Sequence, residues 1–172
     1  MDDERTLNLL GALALSIVDA LNPVLEANAG HGGETPAALV TLGAEPGISI
    51  NTLRQILNLS HPGTVRLIDR LEAQGLVERR SGVDGRTLAL FLTNAGWERR
   101  QAILTERRQA LQVALQPLTL DERSQLTTLL EKMLMGMTTD ELRAYAICRL
   151  CEEEVCPGDR CPVEQQYCQM VN

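Results

Sequence analysis

The chain has 172 residues, 44% of them hydrophobic but only 2% aromatic, and a formal net charge of −7. That length supports one domain, or one and a half, around a core that must be aliphatic. The charge excludes a protein that coats nucleic acid with a uniformly basic surface. It does not exclude a selective binder, because its distribution is uneven. From Ile50 to Ala110 ten Arg face six Asp/Glu, a local +4, which leaves −11 on the rest. A weakly basic module in an acidic body still supplies phosphate neutralisation where it is needed. Lys132 is the one lysine against fifteen arginines.

The first residues, Asp2, Asp3 and Glu4, are acidic, and the apolar run behind them is interrupted by Asn8 and Asp19. Neither a signal peptide nor a membrane span is expected, and the protein is expected in the cytoplasm. Residues 4–27 read as one long helix, with Leu7, Leu10, Leu13, Ile17 and Leu21 in helical phase and Pro23 as a kink. Leu9, Ala12, Leu15 and Ala20 make it apolar on more than one face, which a monomer's surface helix would not be. A dimer seam is the preferred reading, a buried core helix the other. Residues 28–33 form a glycine-rich break, where the lone His31 reads as solvent-exposed and not as a ligand. Thr35-Pro36 starts a short scaffold helix to about Leu42, and Pro46-Gly47 ends it.

Ser49 is placed to cap a helix carrying Leu53, Ile56 and Leu57. After Asn58-Leu59, Ser60 can cap a second helix with Pro62 in its first turn, where a missing N–H costs little. Val65, Ile68 and Leu71 fall on one face of it. Arg66 and Arg70 fall on the opposite face with Pro62 and Gly63. Gly75 closes it as a C′ glycine. Leu76 to Arg80 is a strand, Ser81 to Gly85 a turn, and Arg86 to Leu92 a strand of period two. A helix with an apolar seat and an arginine-bearing outer face suits a major groove. An adjacent hairpin tipped with Arg79, Arg80 and Arg86 reads as a wing.

Leu57 to Arg79 reads L-x-L-S-x-x-x-T-V-R-L-I-D-R-L-E-x-x-G-L-V-E-R, and Asp84 to Gly96 continues D-G-R-x-x-x-L-x-L-T-x-x-G. This text resembles the winged helix-turn-helix of the MarR family of bacterial transcriptional regulators. The close match covers about a quarter of the chain, and flanking helices extend it to roughly residues 3–145. The resemblance implies a mainly α fold with a small β-hairpin wing, and first and last helices intertwined into a homodimer. It implies double-stranded DNA as partner, a pseudo-palindromic operator, and a small-molecule effector where the DNA lobe meets the dimer lobe. His61, Gly63, Thr64 and Arg66 would then sit nearest the bases, with Arg70 and the Ser60 terminus nearer phosphate. Arg86 would reach the minor groove, held by Asp84; Arg79 and Arg80, at the wing's base, could serve structure instead. Pro62-Gly63 departs from the polar pair common there, which leaves fewer base-reading side chains.

Thr93 can cap a long helix to about Leu115, with Trp97, Leu104 and Leu111 stepping by seven; Trp97 reads as core or interface. Pro117 stops it. Thr119-Leu120-Asp121-Glu122 is a capping-box signature. It opens a helix bearing Leu126, Leu129, Leu130, Met133, Leu134 and Met137. Thr138-Thr139-Asp140-Glu141 is a second such signature, so the helix either restarts there or runs through with a bend.

The tail carries Cys148, Cys151, Cys156, Cys161 and Cys168, spaced C-x2-C-x4-C-x4-C-P-x5-C. Five cysteines in a cytosolic protein favour metal or redox chemistry over structural disulfides. The first four can close a tetrahedral S4 site without long loop closure, with Pro157-Gly158 turning the chain back. Zinc is the first reading; an iron–sulfur cluster and metal-free redox-active thiols are the alternatives. Cys168 is the expected outsider. The resemblance does not extend to this tail.

The expected organisation is an N-terminal dimerisation helix (1–33), a winged helix-turn-helix (34–93), C-terminal dimerisation helices (94–147) and the cysteine-rich tail (148–172). The expected function is a homodimeric, DNA-binding regulator, read as a repressor, with tail chemistry or a ligand as switch. The alternative is a thiol oxidoreductase or metal-binding protein on a winged scaffold. Cys148-x-x-Cys151 is its one redox-enzyme signal, and no βαβ context, phosphate loop or Ser/His/Asp set accompanies it.

Overall fold

The computed structural model of the chain describes residues 3–29, 34–81 and 88–171. It holds eight helices and a hairpin among those residues: α1 (Asp3–Ala29), α2 (Glu34–Ala44), α3 (Ile50–Ile56), α4 (His61–Ala73), β1 (Val77–Ser81), β2 (Leu88–Leu92), α5 (Asn94–Leu115), α6 (Leu120–Met137), α7 (Glu141–Cys148) and α8 (Pro162–Val171). The fold is mainly helical with a two-stranded wing, as expected. His31 and the wing tip, including Asp84 and Arg86, lie outside the described residues.

Local chemistry sets the helix starts. The Ser49 hydroxyl accepts from the Thr52 N–H at 3.0 Å, and that of Ser60 from Gly63 at 3.2 Å. Thr93 accepts from Gly96 at 3.1 Å. Thr119 and Glu122 close a capping box, with the Thr119 N–H donating to the Glu122 carboxylate at 2.8 Å. Asp140 accepts from Arg143 at 2.9 Å. Each satisfies one N–H that the first helical turn leaves open. The chain therefore restarts as α7, but with Asp140 as its cap, while Thr138 closes α6 and forms no capping box with Glu141. The turn between α3 and α4 passes through Asn58 in the left-handed region (φ 52°). Gly75 (φ 70°) ends α4, with the Leu76 N–H returning to the Leu71 carbonyl at 2.9 Å.

The core lies where α2, α3, α4 and the hairpin meet α5. Leu39, Leu42, Leu53, Ile68, Leu71, Leu90 and Ile103 are fully enclosed there. β1 and β2 pair antiparallel from Val77↔Leu92 to Ser81↔Leu88. A third short strand edge joins them, with Ser49 bridged to Ala89 and Leu90 N–H bonded to the Ile48 carbonyl at 3.0 Å. That edge is one bridge long, too short to show a period of two.

α1 lies along α5, and α8 packs on α6 and α7. The outer faces of the long helices stay open. Leu7 is 66% exposed, and Leu10, Leu13, Leu15, Leu129, Leu130, Met133 and Met137 are exposed with it. No residue of α6 is buried within the single chain. Trp97 is 43% exposed, so it is not a core residue of the protomer. The stretch Asp3–Pro23 is long and apolar enough to cross a membrane, so Asn8 and Asp19 do not interrupt it as far as expected. α8 was not anticipated, and it carries the tail back onto the body.

Gly96, in the first turn of α5, sits against the Leu76 carbonyl, so a Cβ there would collide with backbone. Gly96→Ala is expected to cost about 2 kcal/mol and to lower Tm by roughly 4–8 °C in thermal unfolding. An unchanged Tm would show that α5 does not depend on this close approach.

Candidate nucleic-acid interface and thiol cavity

α4 is seated by Thr64, Leu67, Ile68 and Leu71, all buried, while His61, Pro62, Arg66 and Arg70 face solvent. Ser60, at the cap, is exposed as well, and Gly63 is partly so. Its first turn therefore offers backbone N–H groups, an imidazole and two guanidinium groups on one open side. Thr64 is a correction. It is 0% exposed, and its hydroxyl donates to the Ser60 carbonyl at 3.1 Å, so it seats the helix and cannot reach a base. Helical phase could have shown this, since Thr64 lies three residues before Leu67 and seven before Leu71.

The wing is pinned to α4 by Arg79. Its guanidinium bonds the carboxylate of Asp69 at 2.6 Å and also that of Glu72, one turn on. The Arg79 side chain is only 19% exposed, and it serves structure. Arg80 is outward: it pairs with Glu78 and stacks over the Phe91 ring at 4.6 Å. That contact orients a cation on the wing's outer face. Arg66 and Arg70 take part in none of the ion pairs among the described residues.

A second feature lies behind the helix-turn-helix. A cavity of about 200 Å³ is lined by Val40, Thr41 and Glu45 of α2, by Tyr145 of α7, and by the tail cysteines. No disulfide is formed. The Cys148 and Cys161 sulfurs stand 4.0 Å apart. Cys151 and Cys156 line the same cavity. The neighbouring Cys148 lowers the Cys151 thiol to about 6, with Arg107 and Arg149 assisting, while Cys151 pushes the Cys148 thiol up. Burial, then Cys161, raises Cys156 to about 11. The four cysteines expected to meet are thus brought to one place, though among the described residues no three donors already surround a metal-sized point. Cys168 is exposed at the cavity's edge.

The tail is tied to the body in three ways. Leu150 packs on the core, Arg108 of α5 bonds Glu152 at 2.6 Å, and α7 packs on α3. Arg100, which the sequence did not single out, is buried with its stem against Gly43 and its guanidinium over Trp97 at 5.3 Å. Burial raises the nearby Glu153 carboxyl, Arg100 opposes the rise, and Glu45 and Glu164 add to it.

The arrangement defines a winged helix-turn-helix protein with an open recognition face. Residues 34–87 match the family model of the MarR family. A MarR-family transcriptional regulator from Silicibacter pomeroyi is 27% identical, with a TM-score of 0.59 over 76% of this chain and 88% of that one. Apo MarR from E. coli is 24% identical, with a TM-score of 0.62 over 74% and 95%. MepR, a regulator of the Staphylococcus aureus multidrug efflux pump MepA, is 22% identical, with a TM-score of 0.65 over 76% and 96%. No curated protein sequence matches the chain significantly. Residues 34–87 are thus similar to the MarR family, and the chain shares the winged helix-turn-helix fold of solved members of it.

The Arg79 bridge is testable. A double-mutant cycle of Arg79→Ala with Asp69→Asn, followed by urea unfolding, is expected to return a coupling of about 0.5–1 kcal/mol, since the aspartate is well exposed. A coupling of zero would mean the pair does not hold the wing.

Proposed function

We propose that the protein binds double-stranded DNA as a homodimer, placing one α4 in each of two major grooves of a pseudo-palindromic operator, and represses by occupying its promoter. The observation that carries this is the bare outer face of α4, with Arg66 and Arg70 in no ion pair among the described residues, beside a wing bonded to the same helix. In this reading His61, Gly63 and Arg66 stand nearest the bases. Ser60, Pro62 and Arg70 lie along the phosphates, where the α4 N-terminus also favours negative charge. Arg80 and Arg86 serve the wing's contact with the adjacent backbone and minor groove. Pro62 and Gly63 offer no base-reading side chain, so sequence selection falls on His61, Arg66 and the shape of the duplex.

Support for the dimer is the exposed apolar surface of α1, α5 and α6. Burying one such leucine is worth about 2 kcal/mol, and a second copy supplies a matching surface by symmetry. That covering also accounts for an α1 apolar enough to cross a membrane, in a DNA-binding protein working in the cytoplasm. The thiol cavity, between the DNA lobe and the tail, is the proposed control point, through a metal, thiol redox chemistry or a small effector.

Gel-shift titration on the protein's own promoter, at several salt concentrations, tests the assignment. Arg70→Ala is expected to reduce the salt slope by about one unit, as loss of a phosphate contact does. Arg66→Ala is expected to weaken the specific complex by about 1–3 kcal/mol. A complex unaffected by both substitutions would contradict the interface. In sedimentation, the wild-type chain is expected as a dimer and Leu13→Glu as a monomer that has lost operator binding. A wild-type monomer would remove the two-helix geometry.

A further inference from the structure

We propose that Cys148, Cys151, Cys156 and Cys161 form a tetrathiolate site for one zinc-class divalent ion, whose occupancy clamps the tail onto α2 and α3. The first support is spacing. With Zn–S bonds of 2.3 Å, neighbouring sulfurs of a tetrahedral site lie about 3.8 Å apart. The Cys148 and Cys161 sulfurs stand at 4.0 Å, across a thirteen-residue separation. A disulfide needs about 2 Å between sulfurs, half the observed distance. In a cubane cluster each thiolate binds a different iron, so its sulfurs must stand farther apart than around a single ion. Cys151 and Cys156 line the same cavity wall as the Cys148 and Cys161 pair.

The second support is the cavity wall. Glu45, Glu141, Glu153 and Glu164 line it beside the thiols, so it suits a cation. The Thr41 hydroxyl, on α2, is buried in that wall without a hydrogen-bond partner among the described residues. A coordinated thiolate would give it an acceptor, as metal-bound sulfur often takes a donor from its surroundings. Binding is an acid–base step: each sulfur that still carries its proton releases it to solvent as its bond to the metal forms, with no change in oxidation state.

The consequence for the fold follows from what the site joins. Cys148 ends α7, which packs on α3; Cys161 precedes α8, which packs on α6. One ion would therefore close the loop between two helices gripping different parts of the body. The effect on DNA rests on the regulator reading above; the site itself does not.

The test uses the reduced, full-length protein titrated with cobalt(II) and then zinc(II). One cobalt per chain is expected, with sulfur-to-metal charge transfer and the strong ligand-field bands of a tetrahedral thiolate site, bleached by zinc. Alkylation should then modify one cysteine of five. Amide exchange across residues 34–56 should slow at least tenfold on zinc addition. Cys168→Ser is expected to bind cobalt as the wild type does. Cys156→Ser and Cys161→Ser should each lose affinity at least 100-fold while keeping wild-type helical circular dichroism. Should Cys161→Ser fail to fold, Cys156→Ser, which changes a less buried thiol, carries the comparison. Weak octahedral cobalt bands, isolation with iron and labile sulfide, or a Cys148–Cys161 disulfide with no metal uptake would each overturn the site. Metal uptake with unchanged amide exchange would overturn the clamp. A chain that takes the ion but binds no promoter DNA upholds the site and sinks the regulator, and the converse result does the reverse.

Discussion

The seating of α4 is the constraint on which the rest depends. Thr64, Leu67, Ile68 and Leu71 turn one stripe of a thirteen-residue helix into the core. The opposite stripe can then carry arginines without an intramolecular partner. A helix buried all round could not bind DNA, and a helix with no seat could not hold its angle to the groove. The Thr64 hydroxyl shows how tightly the seat is built: it satisfies itself on the Ser60 carbonyl, so a polar residue enters the core without an open donor. Ser60 in turn caps the same turn through its side chain. The exposed N-terminus of α4 and its buried underside are thus fixed by the same few atoms.

The wing extends that rigidity. Arg79 reaches from β1 to two carboxylates on α4, so the hairpin is tied to that helix. The Ile48–Ser49 edge ties the start of α3 to β2. Thr93 closes the unit, donating to the Gly75 carbonyl at 2.5 Å while capping α5. The long helices then attach to this unit through α2 and α5 and leave their own apolar faces outward. One lobe has an enclosed core within the chain; the other leaves its apolar faces exposed.

Much of this was legible in the residues. Ser49, Ser60, Thr93 and Thr119 each mark a helix start by short-range chemistry, and each caps where expected. The hairpin's alternation and the C′ role of Gly75 are equally local. What escaped is non-local or depends on phase. Val65 was read as part of the seat, but it lies at the edge of a stripe centred on Thr64 and Leu67. Arg79 can be read as structural from its place at the wing's base, but its partners, seven and ten residues back in the chain, cannot. Arg100 is buried through a gap left by Gly43, fifty-seven positions earlier, which no periodicity signals. The tail's cysteines could be expected to meet from their spacing. That they meet against α2, beside a Thr41 hydroxyl without a partner among the described residues, comes only from the folded chain.

Hydroxyl-radical footprinting of the full-length protein on its own promoter tests the central claim most directly. Two symmetry-related protected patches, centred about one duplex turn apart on one face of the DNA, are predicted. A single patch, or protection without a fixed position along the sequence, would contradict the account of two seated helices reading one operator.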